Sequence, residues 1–247
     1  MTMLMDGLDS AALAALLGVP RVVHRASVSS TMDEGHRIAA EGAEPGTLVV
    51  AGEQTAGRGR GGRRWMASFD RGLWMTLVER PATPSGLDVL SLRLGLRAAP
   101  VLDLFTDGAV QLKWPNDLHV DGRKLAGILV EARWRQGHVE WVAIGVGVNF
   151  ALPDGLGAAT VRPSTRRSDL LLHLLPALRA AAAARGPLSE AELAGFAARD
   201  LARGRQTLQP AAGVAKGITP DGALIIDSDE GRALFRGGSL VFAGEAT

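Results

Sequence analysis

Apolar residues along the first half of the chain follow two different periods. Short apolar runs with β-branched residues predict strands at residues 22–25, 47–52 and 72–78. Helical spacing is found at residues 10–17, 32–40 and 87–104. Thr31 and Glu34 have the spacing of a capping box ahead of the second helix. Pro100 is expected to kink or break the third, because proline removes a helical hydrogen bond.

The middle of the chain is rich in predicted strands, at residues 110–114, 118–120, 125–134 and 139–149. Asp121-Gly122 is a strong hairpin signal, and Gln136-Gly137 marks a second turn. The last strand is apolar on both faces, as expected for a covered central strand. Helices are predicted at residues 170–184 and 189–203. Grouped strands with helices beside them predict an α+β fold and not a doubly wound parallel sheet.

The composition changes near residue 205. Residues 213–244 hold short apolar runs separated by Gly, Pro and Asp, which predict a small β-barrel. We therefore predict two domains, residues 1–204 and 205–247, with the boundary between residues 204 and 212.

Composition excludes several classes of function. The net charge of +1 predicts neither a nucleic-acid nor a membrane partner. The absence of cysteine excludes a thiol nucleophile, disulfides and cysteine-ligated metals, and it fits the reducing cytoplasm. The acidic N-terminus lacks the features of a secretory signal, and the five histidines show no metal-binding spacing.

The segment with the strongest chemical signature is GRGRGGRRW, residues 57–65, called here the arginine loop. Its four arginines can pair with phosphate or carboxylate oxygens, and its glycines let the backbone approach a ligand. It lies between two predicted strands, which favours an ordering lid over a nucleic-acid tail. A solvated basic loop is the alternative, and Arg63 and Arg64 are expected to be solvated flanks.

Three further motifs follow on strands or strand ends. KWPND presents Asn116 and Asp117, which either cap a turn or hold magnesium, a ribose or an amine. GRKLAGILVE carries Lys124, an edge residue or a point charge for a ligand, and Gly127, which indicates close approach to the backbone. GVGVN, residues 145–149, thins one face of a strand for a ligand or for tight packing.

These motifs, together with SSTMDE and EQTAGRGRGGRRW, resemble in order and spacing the catalytic domain of biotin–protein ligases over about residues 22–200. The C-terminal segment resembles that family's SH3-like barrel. The resemblance implies a class II synthetase-like mixed or antiparallel sheet with helices. It also implies an ATP- and Mg²⁺-dependent ligase that forms biotinyl-5′-AMP from biotin and ATP. Biotin then passes to a lysine of an acceptor biotin carboxyl carrier protein.

The resemblance also implies roles for single residues. It places Lys124 at the biotin carboxylate and the reacting phosphate. Biotin contacts are expected from Ser30, Thr31, Met32, Gln54, Arg58, Gly59, Arg60, Lys124 and Gly127. Adenylate contacts are expected from Arg58, Arg60, Trp65, Asn116 and Asn149. The catalytic candidates are Lys124, Arg60 and Asp117, and Asp117 either steers the incoming amine or supports magnesium.

Two features depart from the family's pattern. Met32 stands where the family commonly has Asn, so only its backbone N–H is expected to serve. The chain begins almost at the catalytic domain, so we expect no helix-turn-helix region and no DNA binding. Monomer and homodimer both remain open.

Other functions have weaker support. A lipoate–protein ligase or octanoyltransferase shares the fold, but the first lacks this form of the arginine loop and the second needs a cysteine. A nucleic-acid-binding protein is disfavoured by the low net charge. A non-catalytic biotin sensor is disfavoured by the presence of Lys124 and the arginines.

Overall fold

A mixed sheet of seven strands lies at the centre of the structure, a computed structural model that describes residues 4–151 and 157–244. Its strands are β1 (Val22–Val28), β2 (Thr47–Gln54), β3 (Gly72–Glu79), β4 (Gln111–Lys113), β5 (Asp117–Val120), β6 (Arg123–Arg135) and β7 (His138–Asn149). Their order is β1-β2-β3-β7-β6-β5-β4. β1 and β2 run parallel, and the other neighbours are antiparallel. The predicted α+β class with a mixed sheet is confirmed.

Helices cover both faces of this sheet. In the described ranges they are α1 (Ser10–Leu17), α2 (Thr31–Ala40), α3 (Leu90–Asp103), α4 (Arg167–Ala183) and α5 (Glu190–Arg199). Pro100 lies inside α3 without ending it. The burial of Leu94, Ala98 and Leu102 on the same helix offsets the single hydrogen bond that proline removes. Of the two predicted outcomes at Pro100, the break is therefore wrong and the kink stays a prediction.

Both predicted hairpin turns are present. Asp121 and Gly122, between β5 and β6, have φ angles of 51° and 72°. Gln136 and Gly137, between β6 and β7, have φ angles of 50° and 81°. Two successive positive φ values match the twist of antiparallel strands, which explains why these two-residue turns set the register of β6.

The N-terminus of α2 differs from the prediction in one respect. Ser30 is the N-cap, and its hydroxyl oxygen accepts a hydrogen bond of 3.2 Å from the Met32 backbone N–H. Thr31 is the first residue of the helix, so its hydroxyl is available for contacts outside the helix. Ser30 and Thr31 are both buried.

Successive side chains along each strand point to opposite faces of the sheet. On β3, the side chains that face the main core are those of Leu73, Met75 and Leu77. The side chains that alternate with them, those of Thr76 and Val78, face α2. On the α2 side, a small cluster is formed by Val23, Ile38, Ala39, Val49, Val78 and Trp141. Because α2 covers only part of this face, the remainder is open for a cavity.

A second, antiparallel sheet follows α5. It has five strands, β8 (Gln206–Gln209), β9 (Gly213–Ile218), β10 (Leu224–Ser228), β11 (Gly231–Phe235) and β12 (Val241–Phe242). Their order is β11-β10-β9-β8-β12. The division into two domains stays a prediction. None of the helices in the described ranges combines the length and apolar character that crossing a bilayer requires.

Candidate active site

A cavity of about 140 Å³ lies on the α2 side of the sheet. Predicted residues in its wall are Ser30, Thr31, Met32, Gln54, Arg58, Gly59, Arg60, Trp65, Asn116, Asp117, Lys124 and Gly127. They come from α2, the arginine loop and three strand ends that are far apart in the chain. The fold therefore gathers the predicted side chains around one cavity. Hydroxyl and amide groups line one end, called here the polar end, and Lys and Arg side chains line the other, called here the cationic end.

The polar end is built where α2 meets β2. Gln54 Oε1 accepts hydrogen bonds from the Thr31 backbone N–H at 2.8 Å and from Thr31 Oγ1 at 3.1 Å. Thr76 Oγ1 lies 3.0 Å from Thr31 Oγ1, although the two residues are 45 positions apart. Small donors and acceptors are thus held in fixed orientations beside the cavity.

The indole of Trp65 forms one wall by lying against two glycines that pair in register on β6 and β7, Gly127 and Gly147. A Cβ atom on either glycine would lie 2.7 Å from the Trp65 ring. The close approach that Gly127 indicated in the sequence is therefore made by Trp65. The ring of Trp74 packs edge-on against it, with centroids 6.3 Å apart.

The cationic end contains Lys124, Arg60 and Arg63. Lys124 Nζ lies 2.7 Å from Asp117 Oδ1 and 4.9 Å from the centroid of the Trp65 ring. Asp117 is the one carboxylate in the wall among the described residues. Burial lowers the pKa of Arg60, and the charge of Arg63 lowers it further, while Asp117 opposes both effects.

Arg60 also connects the loop to the second sheet. Its Nη1 donates a hydrogen bond of 2.7 Å to the Gly238 backbone carbonyl, in the turn between β11 and β12. The C-terminal sheet therefore supports the side chain from outside the cavity.

Arg58 is engaged with two carboxylates. Its Nη1 donates to Asp33 Oδ1 at 2.6 Å, and its Nη2 donates to Glu131 Oε1 at 2.5 Å. Partial burial lowers the pKa of Arg58, but the Asp33 hydrogen bond and the Glu131 charge outweigh it, so the pKa is raised. We call these three residues the Arg58 clamp. The clamp ties the start of the arginine loop to α2 and β6 through Nη1 and Nη2, while Arg58 also lines the cavity.

His36 connects the Arg58 clamp to Trp141 of the small cluster on the α2 side of the sheet. The Trp141 Nε1–H donates to His36 Nδ1 at 2.9 Å, so the proton of a neutral His36 resides on Nε2. This Nε2 donates to Glu131 Oε2 at 3.0 Å. Both oxygens of Glu131 are thereby held.

Backbone pairing gives the arginine loop a defined shape. Gly59 N donates to the Arg63 carbonyl at 2.7 Å, and Trp65 N donates to the Gly57 carbonyl at 2.9 Å. Its tip is a single 3₁₀ turn, Arg60–Gly62. Arg63 and Arg64 are exposed, as expected of flanks, yet both contribute to the rim of the cavity.

The two asparagines take different positions. Asn116 lines the cavity, and its Nδ2 donates to the Ile128 carbonyl at 2.8 Å. Asn149 lies outside the cavity wall formed by the described residues, because its Nδ2 is turned to the carbonyls of Lys124 and Ala159, each at 3.2 Å. Its geometry therefore gives no support to the predicted adenylate contact.

Three polar residues that line the cavity or pair with Arg58 were not singled out from the sequence: Thr76, Asp33 and Glu131. Thr76 has a local signal, since it is the one hydroxyl in the apolar strand GLWMTLV. Asp33 and Glu131 have none, because they are 25 and 73 positions from Arg58 and resemble ordinary surface acids.

Matches to known proteins agree with this geometry. The profile of the biotin/lipoate A/B protein ligase family matches residues 25–149, half of the chain. The chain is 36% identical over 129 residues to the bifunctional ligase/repressor BirA of Bacillus spizizenii, covering 52% of this chain and 40% of that protein. It is 38% identical over 142 residues to a biotin–[acetyl-CoA-carboxylase] ligase of Paracoccus denitrificans, covering 54% and 56%. The matches thus span about half the length of these relatives.

Solved structures extend the likeness to both sheets. The biotin protein ligase of Aquifex aeolicus, solved with biotin and ATP, aligns with a TM-score of 0.72 at 23% identity. That alignment covers 90% of this chain and 98% of the other. The enzyme from Leishmania major, solved with biotinyl-5-AMP, aligns at 0.61 with 26% identity, covering 87% and 98%. Because the family profile matches half of the sequence, the chain belongs to the biotin/lipoate A/B protein ligase family.

Proposed function

We propose that the chain is an ATP-dependent biotin–protein ligase that forms biotinyl-5′-AMP and transfers biotin to a lysine of a biotin carboxyl carrier protein. The observation that carries the proposal is the polarity of the cavity. One end holds fixed hydroxyl and amide groups, the other holds cations, and Trp65 walls the space between them. The relatives named above as biotin ligases support the same substrate.

The polar end suits the ureido ring of biotin. A cyclic urea presents a carbonyl that accepts hydrogen bonds and two N–H groups that donate them. Ser30, Thr31 and Gln54 supply groups of both kinds within the same wall, and Met32 supplies apolar surface beside them. The indole of Trp65 suits the apolar valeryl chain, since small-molecule sites combine apolar walls with a few placed polar groups.

The cationic end suits the first half-reaction. A carboxylate oxygen of biotin attacks the α-phosphorus of ATP, the acyl–phosphate bond forms, and pyrophosphate leaves. Two anions must approach, so fixed positive charge lowers the barrier by offsetting their repulsion. Lys124 and Arg60 provide it. Arg58, which lines the cavity, is expected to contact biotin and the adenylate, and its ion pairs with Asp33 and Glu131 also hold the loop in place.

The second half-reaction needs a group that receives an amine. The ammonium of the acceptor lysine gives a proton to water, the neutral amine attacks the acyl carbon, and the acyl C–O bond breaks so that AMP leaves. Asp117 is suited to steer this ammonium, because its carboxylate lines the cavity. Lys124 already holds Asp117 Oδ1, which leaves Oδ2 for the incoming group.

Magnesium is expected to arrive with ATP. The described residues contain no group of three or more His, Asp or Glu side chains that could hold a metal ion. One carboxylate together with phosphate oxygens is a common magnesium environment, and Asp117 is the carboxylate available. The ion, when bound, neutralises phosphate charge.

A lipoate ligase is the second candidate within this family. Its substrate has an apolar ring and no ureido group, so it would leave the Thr31–Gln54 end without a polar partner. The hydrogen-bonding groups at that end therefore favour biotin. We expect the enzyme to act in the cytoplasm, where ATP and carboxylases are found.

The proposal is tested by incubating the chain with magnesium ATP, a carrier domain and either labelled biotin or labelled lipoate. We expect pyrophosphate release and label transfer with biotin alone. Transfer of lipoate without biotin would replace the proposed function by the second candidate. If neither acid supports pyrophosphate release or label transfer, the biotin ligase and the lipoate ligase assignments are both overturned. A Lys124→Met variant serves as the inactive control.

A further inference from the structure

Thr76 occupies a position at the floor of the polar end. It lies on β3, opposite Gly145 of β7, and its side chain is fully buried while it contributes to the cavity wall. Its methyl group faces α2, since a Cβ atom on Gly35 would lie 2.7 Å from Thr76 Cγ2. Its hydroxyl faces Thr31. The two halves of one side chain therefore have separable roles.

The directions of the hydrogen bonds that join Thr31, Gln54 and Thr76 follow from one backbone group. The Thr31 N–H can only donate, so the atom of Gln54 that faces it must be the carbonyl oxygen. Thr31 Oγ1 must then donate to the same oxygen, and it accepts the hydrogen of Thr76 Oγ1. With its hydrogen committed, Thr76 Oγ1 presents only lone pairs to any further partner.

The remaining groups at this end complete the pattern. Gln54 Nε2 makes no hydrogen bond with the residues that the structure describes, and Ser30 Oγ accepts from Met32 N while its own hydrogen stays available. Both can donate to a carbonyl. Met32 is buried in the wall and offers only a thioether sulfur, which is a weak acceptor compared with a hydroxyl. Thr76 thus supplies an acceptor for an N–H group beside donors for a C=O group.

We propose that Thr76 is a specificity-determining residue for the ring of the substrate, selecting an N–H adjacent to a carbonyl. The inference rests on the proposed function. The hydroxyl acts directly as an acceptor for a ureido N–H and fixes the polarity of Thr31 and Gln54. An acid without a ureido group gains nothing from it.

The test uses two matched substitutions. Thr76→Val keeps the methyl group against Gly35 and removes the hydroxyl, whereas Thr76→Ser keeps the hydroxyl and removes the methyl group. Biotin and octanoate binding are measured by calorimetry for both variants and the wild type, with melting temperatures as a check on folding. KM values for biotin and ATP are measured in the pyrophosphate-release assay.

We expect Thr76→Val to weaken biotin binding and raise the KM for biotin by about tenfold or more, the effect of losing one buried hydrogen bond. The KM for ATP and any octanoate binding should stay unchanged, and Thr76→Ser should bind biotin nearly as the wild type does. Equal biotin affinity of wild type and Thr76→Val would overturn the inference about Thr76 and leave the proposed function standing. Greater loss in Thr76→Ser than in Thr76→Val would also overturn it, because packing on Gly35 would then be the role. A wild type that binds no biotin would overturn the proposed function itself.

Discussion

Lys124 Nζ and Asp117 Oδ1 are 2.7 Å apart, so the two groups assigned to successive half-reactions form one ion pair in the cavity wall. The pair is partly exposed, with 36% and 26% of the two side chains accessible. A partly solvated pair can exchange partners at small cost, because its net stabilisation is modest. Each group can therefore turn from the other to a substrate anion or an incoming ammonium.

This relationship gives different expectations for the two half-reactions. Asp117→Asn removes the carboxylate charge and keeps the shape. If Asp117 steers the amine and does not support magnesium, adenylate formation should continue on the charge of Lys124. Transfer from preformed biotinyl-AMP to a carrier domain should slow by about 100-fold, within the range for loss of a positioned acid–base group. Stopped-time assays of pyrophosphate release and of label transfer measure the two steps. Equal slowing of both would count against amine steering by Asp117.

Arg60→Gly should weaken retention of the reactive anhydride. The substitution removes the hydrogen bond to the Gly238 carbonyl and one charge from the cationic end. We expect biotinyl-AMP to escape and to label lysines of a bystander protein such as serum albumin. Arg236→Gly is the matched control, since Arg236 is exposed and pairs with Asp221 in the connections of the C-terminal sheet. The same low bystander labelling in wild type and Arg60→Gly would exclude this role.

The Arg58 clamp should govern the order of the arginine loop. Glu131→Gln replaces a charged acceptor of Arg58 by a neutral one, so the loop should open more often. We expect limited trypsin digestion at the loop arginines to be about fivefold faster, as for the loss of roughly 1 kcal/mol. Glu34→Gln is the control, because Glu34 pairs with Arg25 and Arg37 on the same side of the sheet but not with the loop. Equal digestion rates for the three proteins would contradict the clamp.

Asp200 should make stability depend on pH. Burial raises its pKa to about 6, against an opposing hydrogen bond from Ala202 N, and its Oδ2 has no partner in the described structure. The folded pKa lies above the unfolded value of 3.8, so the fold favours the protonated form of Asp200. The stability that this form contributes is fully present below pH 3.8. It is lost as the pH rises through 6.

Asp200→Asn should therefore raise the free energy of unfolding by roughly 2 kcal/mol at neutral pH and change it little near pH 4. Urea unfolding at both pH values measures the difference. The exposed Asp229→Asn serves as the control. An equal effect of Asp200→Asn at the two pH values would rule out titration as its cause.

Much of this protein is determined locally and is visible in the sequence. The turns at Asp121-Gly122 and Gln136-Gly137 have the residues that positive φ angles favour, and the period of apolar residues distinguishes the strands from the helices. The loop from Gly57 to Trp65 is likewise identifiable, because its glycines and arginines are consecutive. These features depend on neighbours within a few residues.

The tertiary structure decided what those residues contact. Arg58 lines the cavity as predicted, and it also pairs with Asp33 and Glu131, which no local pattern connects to it. The Gly127–Gly147 pair receives Trp65 because strand register places the two glycines side by side. Asn149 turns to the backbone. Such choices depend on pairings across long stretches of chain, where the geometry of the sheet and not the local sequence selects the partner.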